Sequence, residues 1–288
     1  MTLSDLTLPA VVVITLAYLA AAVIAYAGYR ARALTIDGAV AACLVGGTVF
    51  GFGQLGCALL LVLFFASSSL LSFFKTDDAR KRRAAETFEK GGKRDAAQVL
   101  ANGGVAALAA LLLVLSNGSA AAVYLGAFVG ALAAATADTW ATEIGVLSRN
   151  APRLITTGRI VPAGTSGGVT WLGSAAAMLG AGVIGIGAAL LAGISILPIS
   201  HPGVFSLVAA GLIGGTAGML GDSLLGATVQ ASYWCPQCNK PTESRIHTCG
   251  TPTELRHGLP WLNNDLVNVA GTLIGALVAA LIFALTLP

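Results

Sequence analysis

Apolar residues gather along this chain in eight stretches: about Leu8 to Tyr29, Gly38 to Phe52, Leu55 to Phe74, Val99 to Leu115, Ala120 to Thr142, Val169 to Ile196, Val204 to Leu225 and Leu266 to Leu287. Most approach the roughly 20 residues that a helix needs to cross a bilayer. The pattern predicts an all-α, polytopic transmembrane bundle of about eight spans, a single domain over residues 1–288. The second stretch is the weakest. Gly38 to Phe74 also fits one long helix, or a helix with a re-entrant piece, which would leave seven spans. The first stretch has no basic region before it and no small-residue cleavage site after it, so it reads as a retained span.

Charge sets the orientation, because Lys and Arg in short loops stay on the cytoplasmic side. With eight spans and both termini outside, Arg30 and Arg32, the basic loop 75–94, the trio Arg149, Arg153 and Arg159, and Lys240, Arg245 and Arg256 all fall inside. The loops expected outside, around Ser116 to Ser119 and Ser195 to Gly203, hold no charge except what His201 contributes. A hydrophobic share of 56% with 10% charged residues excludes a soluble domain. Abundant Gly and Ala allow helices to pack closely in lipid.

The two halves echo each other in order. Thr35–Gly38 resembles Thr165–Gly168, Ser68–Ser72 resembles Asp222–Gly226, and Arg94–Val99 resembles Asn264–Val269. A duplicated four-helix unit is expected, with pseudo-repeats at about 8–116 and 120–288. An even number of spans per unit predicts an axis along the membrane normal.

Polar motifs collect at the helix ends expected inside. Asp138 and Glu143 close the fifth stretch, and carboxylates at membrane depth are functional candidates by default. Five residues apart, they point about 140° away from each other on a helix, so a shared metal needs the helix to end or distort near Gly145. Helix-end capping is the plainer alternative. Asp222, followed by Ser223, stands between glycines four residues before and after it, which admits a close backbone or a ligand. Asp95, Gln98 and Asn102 share one helical face, and Asp265 and Asn268, after Asn264, repeat the first two. Either Asp could serve only as a cap; the repetition favours a ligand-facing role.

The run Gly164, Thr165, Ser166, Gly167 and Gly168, near Arg159, reads as a loop entering a helix, where backbone N–H groups form an anion site. It lacks the Walker A pattern. The 75–94 loop, with half of the 16 Lys and Arg, is a topology anchor and a source of cations for phosphates. No aromatic residues are interleaved for stacking on bases, so nucleic acid is not an expected partner. In loop 227–263, Cys235, Cys238 and Cys249 with His247 or His257 predict a structural zinc site. A redox pair is the alternative.

Together, Arg94-Asp-x-x-Gln-Val-x-Ala-Asn-Gly103, Ala137-Asp-Thr-Trp-Ala-Thr-Glu-Ile-Gly145, Gly164–Gly168, Gly221–Ala227 and Asn264–Asn268 resemble the integral membrane family called domain of unknown function 92. That family includes plant phytyl-phosphate kinase and transmembrane protein 19. The resemblance implies phosphoryl transfer from a nucleoside triphosphate, CTP by similarity to phytol and dolichol kinases, to an isoprenyl monophosphate such as phytyl or polyprenyl phosphate. It also implies that the Cys-rich insert is not needed for chemistry. On this reading Asp138, Glu143, Asp222 and Asp265 hold Mg²⁺, Asn102 and Asn268 orient phosphates, the Gly164–Gly168 loop cradles one, and Arg94 and Arg159 neutralise charge. A lipid-phosphate cytidylyltransferase and a non-enzymatic transporter are the alternatives.

Overall fold

The computed structural model describes residues 8–74, 78–85, 87, 92–116, 118–199 and 203–286. Parts of the basic loop and of the two loops expected outside, including Lys75, Lys90 and His201, lie outside the described residues.

Seven helices among them are long and apolar enough to span a membrane. They are α1 (Leu8–Arg30), α2 (Ile36–Phe73), α4 (Ala96–Leu115), α5 (Gly118–Gly145), α6 (Trp171–Gly193), the pair α7 (Val204–Ala209) and α8 (Gly215–Thr228) run together by a π turn, and α9 (Asn264–Thr286). The short α3 (Ala79–Ala85) lies between α2 and α4.

The difference between seven and eight lies in α2. A straight helix of its 38 residues would measure about 57 Å, nearly twice the roughly 30 Å hydrocarbon core. Instead it folds back at Gln54, whose φ of 59° and ψ of −175° are not helical. One residue, Arg94, touches both ends. Its carbonyl accepts from the Thr35 N–H at the start of α2 (3.0 Å), and its guanidinium donates to Ser69 Oγ near the end (3.0 Å). The helix is thus a hairpin of two crossings, and the chain makes the eight expected. The hairpin tip is pinned where the Gly56 N–H donates to the Ile196 carbonyl (3.1 Å), just after α6.

At the centre stands α5, with every residue from Phe128 to Ala137 buried. Apolar side chains alone gain little from burial against lipid, so close packing must hold α5. Small residues supply it: a Cβ on Gly215 would meet the Ala133 Cβ at 2.9 Å, and one on Gly275 the Ala134 Cβ at 2.7 Å. At the basic end, β1 (Arg153–Leu154) pairs with β2 (Gly168–Val169) before α6. Between α8 and α9, β3 (Ser232–Cys235) is flanked by β4 (Lys240–Thr242) and β5 (Glu254–His257) in an antiparallel sheet.

Candidate functional site

The helix α5 stays regular through Gly145, so Asp138 and Glu143 do point apart, and each finds a different neighbourhood. Glu143 accepts from Ser72 Oγ (2.6 Å) and pairs with Lys81 Nζ (2.6 Å). Lys81 also donates to the carbonyls of Leu71 (2.8 Å) and Phe74 (2.9 Å). This carboxylate joins α5 to the end of the α2 hairpin and to α3. Its partners were not visible in the sequence, because Ser72 and Lys81 lie 71 and 62 residues away and nothing local ties either to Glu143.

Asp138 faces Asp222 of α8, close enough for the two charges to interact. Neither carboxylate has a hydrogen-bond partner among the described residues, and Asp222 Oδ2 is fully buried. Gly271 of α9 makes the room: a Cβ there would lie 3.2 Å from the Asp222 Cβ and 3.5 Å from its Oδ2. Two neighbouring carboxylates in a water-poor setting are relieved by a shared proton or by a bound cation. Asp265 is buried in the first turn of α9, where Asn263, next to Asn264, caps the helix by accepting from the Leu266 N–H (3.2 Å). The expected four-carboxylate metal set is therefore corrected. Among the described residues Asp138, Glu143, Asp222 and Asp265 do not bring ligand atoms together as a group of three or more, and Glu143 is held instead by Ser72 and Lys81.

Two other sets of these residues take part in local folding. Asp95 and Gln98 form a capping box at the start of α4: Asp95 Oδ1 accepts from the Gln98 N–H (2.9 Å) and Gln98 Oε1 from the Asp95 N–H (3.2 Å). Asn102, two turns on, makes no side-chain hydrogen bond among the described residues. The 164–168 loop does not open directly into a helix; it passes into β2, and Thr170 caps α6 by accepting from the Gly173 N–H (3.0 Å). The loop packs instead between α3 and α8. Gly164 (φ +86°) lies against the Ala84 carbonyl, and Gly167 (φ +73°) against the Ser223 carbonyl, where a Cβ would come within 2.8 Å and 2.6 Å. Thr165 Oγ1 donates to the Pro162 carbonyl (2.8 Å), and Ser223 Oγ turns to Met219. Arg159 is exposed in the turn joining β1 to this loop.

Glu243, just after β4, was missed altogether. Its carboxylate accepts from Ser166 Oγ (2.5 Å) and from Gln230 Nε2 (2.9 Å), its N–H donates to the Thr87 carbonyl (2.9 Å), and it is a charged neighbour of Asp222. The insert thus reaches the glycine-rich loop beside the acidic pair. On the other flank Arg94 lies over the Phe65 ring (5.8 Å). Burial draws its guanidinium below the usual arginine pKa, and Glu143 opposes that shift.

In the insert, Cys235, Cys238, His247 and Cys249 bring their ligand atoms within 4.8 Å of one another. Cys235 Sγ lies 3.6 Å from Cys249 Sγ, and His247 Nδ1 lies 3.2 Å from Cys249 Sγ. Three sulfurs and one imidazole at these separations fit a tetrahedral zinc site. His247 is the histidine that the cluster contains; His257 is exposed on β5, outside it. The Cys249 thiol is lowered to about 6 by Thr251 and then His247, whereas Cys238 is pushed up to about 11, first by its hydrogen bond with Cys249.

A family model described as integral membrane protein DUF92 matches residues 19–276. An uncharacterized membrane protein of Methanocaldococcus jannaschii is 35% identical over 156 residues, 54% of this chain and 50% of that protein. Protein PGR of Arabidopsis thaliana is 34% identical over 152 residues, 52% of this chain and 51% of that protein. The chain matches about half the length of each of these relatives. No solved structure matches it.

Proposed function

The chain belongs to the integral membrane DUF92 family, and from that membership and the geometry above we propose that it is a membrane phosphotransferase. It would move a phosphoryl group from a nucleoside triphosphate, CTP favoured, to an isoprenyl monophosphate, giving the diphosphate on the cytoplasmic side. The observation that carries the reading is the Asp138–Asp222 pair: two adjacent carboxylates without hydrogen-bond partners among the described residues, beside a glycine-rich loop and at the same end of the bundle as Arg94.

Phosphoryl transfer asks for positioning and charge neutralisation more than covalent help. Mg²⁺ suits this pair, since it is held by one or two carboxylates plus phosphate oxygens; when bound it would offset charge on the transferred group. Asp138 and Asp222 would hold the ion, Arg94 would neutralise the acceptor phosphate, and the 164–168 loop would border the donor. Asn102 and Asn268 would orient phosphates, and Asp265 would add negative charge beside them. The acceptor is already an ionised phosphate, so no general base is needed. In the insert, zinc would have a structural role, holding β3 to the Cys249 turn.

The test is product analysis. Purified protein, a prenyl monophosphate, CTP and Mg²⁺ should give prenyl diphosphate and CDP. Release of pyrophosphate would replace the kinase with a cytidylyltransferase.

A further inference from the structure

Between α1, the two arms of the α2 hairpin and α4 runs a narrow crevice of about 70 Å³, apolar along its length and polar at one end, so a long chain enters it only as these helices spread. Its walls are thinned by Ala25, Ala42 and Gly46 and completed by Leu61 and Phe65, with Phe50 toward the hairpin tip. Arg94, Gln98 and Asn102 line it at the basic end. The first arm lines it from Ala42 to Phe50, a rise of about 12 Å.

The polar end has capacity left over. Arg94 gives one side-chain hydrogen bond, to Ser69, out of the five donors a guanidinium carries, and among the described residues it has no salt bridge. Gln98 Oε1 is taken by the Asp95 N–H, but the Asn102 carboxamide makes no hydrogen bond among the described residues. A positively charged, incompletely bonded end on an apolar slot matches an anion that carries a long hydrocarbon chain. The polar end of the slot lies beside the Glu143–Lys81 strut: Arg94 bonds Ser69, and Ser72, one turn along the same arm, bonds Glu143 (2.6 Å).

We infer that this crevice holds the acceptor, with the isoprenyl chain between α1, α2 and α4 and its phosphate on Arg94 and Asn102. The acceptor's identity rests on the phosphotransferase reading; the slot and its anionic amphiphile do not. Donor and acceptor would then approach from opposite flanks, the nucleotide from the Gly164–Gly168 loop and Asp222, the lipid from the α2 hairpin.

The experiment uses full-length protein in nanodiscs without nucleotide and a geranylgeranyl monophosphate bearing a diazirine at its tail. Photolabelling should fall on the α2 arms and α4, and excess unlabelled prenyl phosphate should suppress it while phosphatidic acid does not. Ala42→Phe, which fills the middle of the slot, should weaken geranylgeranyl monophosphate binding about tenfold or more, as steric loss in an apolar pocket does. It should leave isopentenyl monophosphate binding unchanged. Arg94→Gln should weaken both, and Phe50→Ala should admit longer chains. Labels spread over all lipid-facing helices, equal suppression by phosphatidic acid, or unchanged binding in Ala42→Phe would each overturn the slot. Specific labelling without diphosphate formation in the turnover assay would keep the slot and remove the kinase.

Discussion

Replacing Lys81 by Met should destabilise the protein as a structural strut would, and a double-mutant cycle with Glu143→Gln makes that quantitative. Lys81 and Glu143 side chains are 13% and 21% exposed and 2.6 Å apart. Removing one partner of a fully buried pair costs about 3–5 kcal/mol; partial access to water lowers the expectation here to about 2–3 kcal/mol. Lys81→Met also strips donors from the carbonyls of Leu71 and Phe74, so it should cost more than Glu143→Gln, which can keep the Ser72 hydrogen bond. The coupling energy should be about 1–2 kcal/mol, within the range for residues in direct contact. The assay is reversible unfolding of detergent-solubilised protein in mixed micelles, followed by tryptophan fluorescence. Effects that add within about 0.5 kcal/mol, the behaviour of distant sites, would refute the pairing and return Glu143 to the list of candidate metal ligands.

Asp222→Asn should lower kcat by about 10²–10³, the scale on which loss of one transition-state charge partner is felt, while raising the unfolding midpoint, because a carboxylate beside Asp138 is held at a cost to stability. Unchanged kcat would remove Asp222 from the chemistry. Glu243→Ala should speed hydrogen exchange across residues 164–168 at unchanged zinc content; unaltered exchange would sever the insert from that loop. Without zinc, Cys249, exposed and lowered to about 6, is mostly thiolate at pH 7 and should alkylate faster than Cys238. Its rate should fall as pH drops through about 6, and zinc should protect both. Labelling of Cys238 first would contradict the predicted order.

What could be read from the chain and what could not divide along physical lines. Membrane crossings are local and cumulative, so hydropathy found them, and Gly53 and Gln54, which break the apolar run between the second and third stretches, marked the α2 hairpin tip. The capping alternatives for Asp95 were also local, and the capping box with Gln98 bears them out. The grouping of Cys235, Cys238 and Cys249 followed from spacing, with His247 separated from His257 only by the fold. Asp138 and Asp222 stood out because carboxylates are rare in such helices, but their mutual approach depends on α5 packing against α8 across Gly218. Ser72, Lys81 and Glu243 were illegible for the same reason: the Ser72 and Lys81 contacts with Glu143 and the Glu243 contact with Ser166 span 62 to 77 residues. Thr170 was overlooked because the more conspicuous glycine-rich loop stands just before it.

The central claim is phosphoryl transfer to a lipid phosphate at the Asp138–Asp222 pair. Mass spectrometry of purified wild-type protein and Asp138→Asn, each incubated with prenyl monophosphates, CTP or ATP and Mg²⁺, tests it most directly. Prenyl diphosphate with a nucleoside diphosphate is expected from the wild type, and a loss of at least about 10²-fold in the variant. No diphosphate across the panel, or full activity in Asp138→Asn, would contradict it.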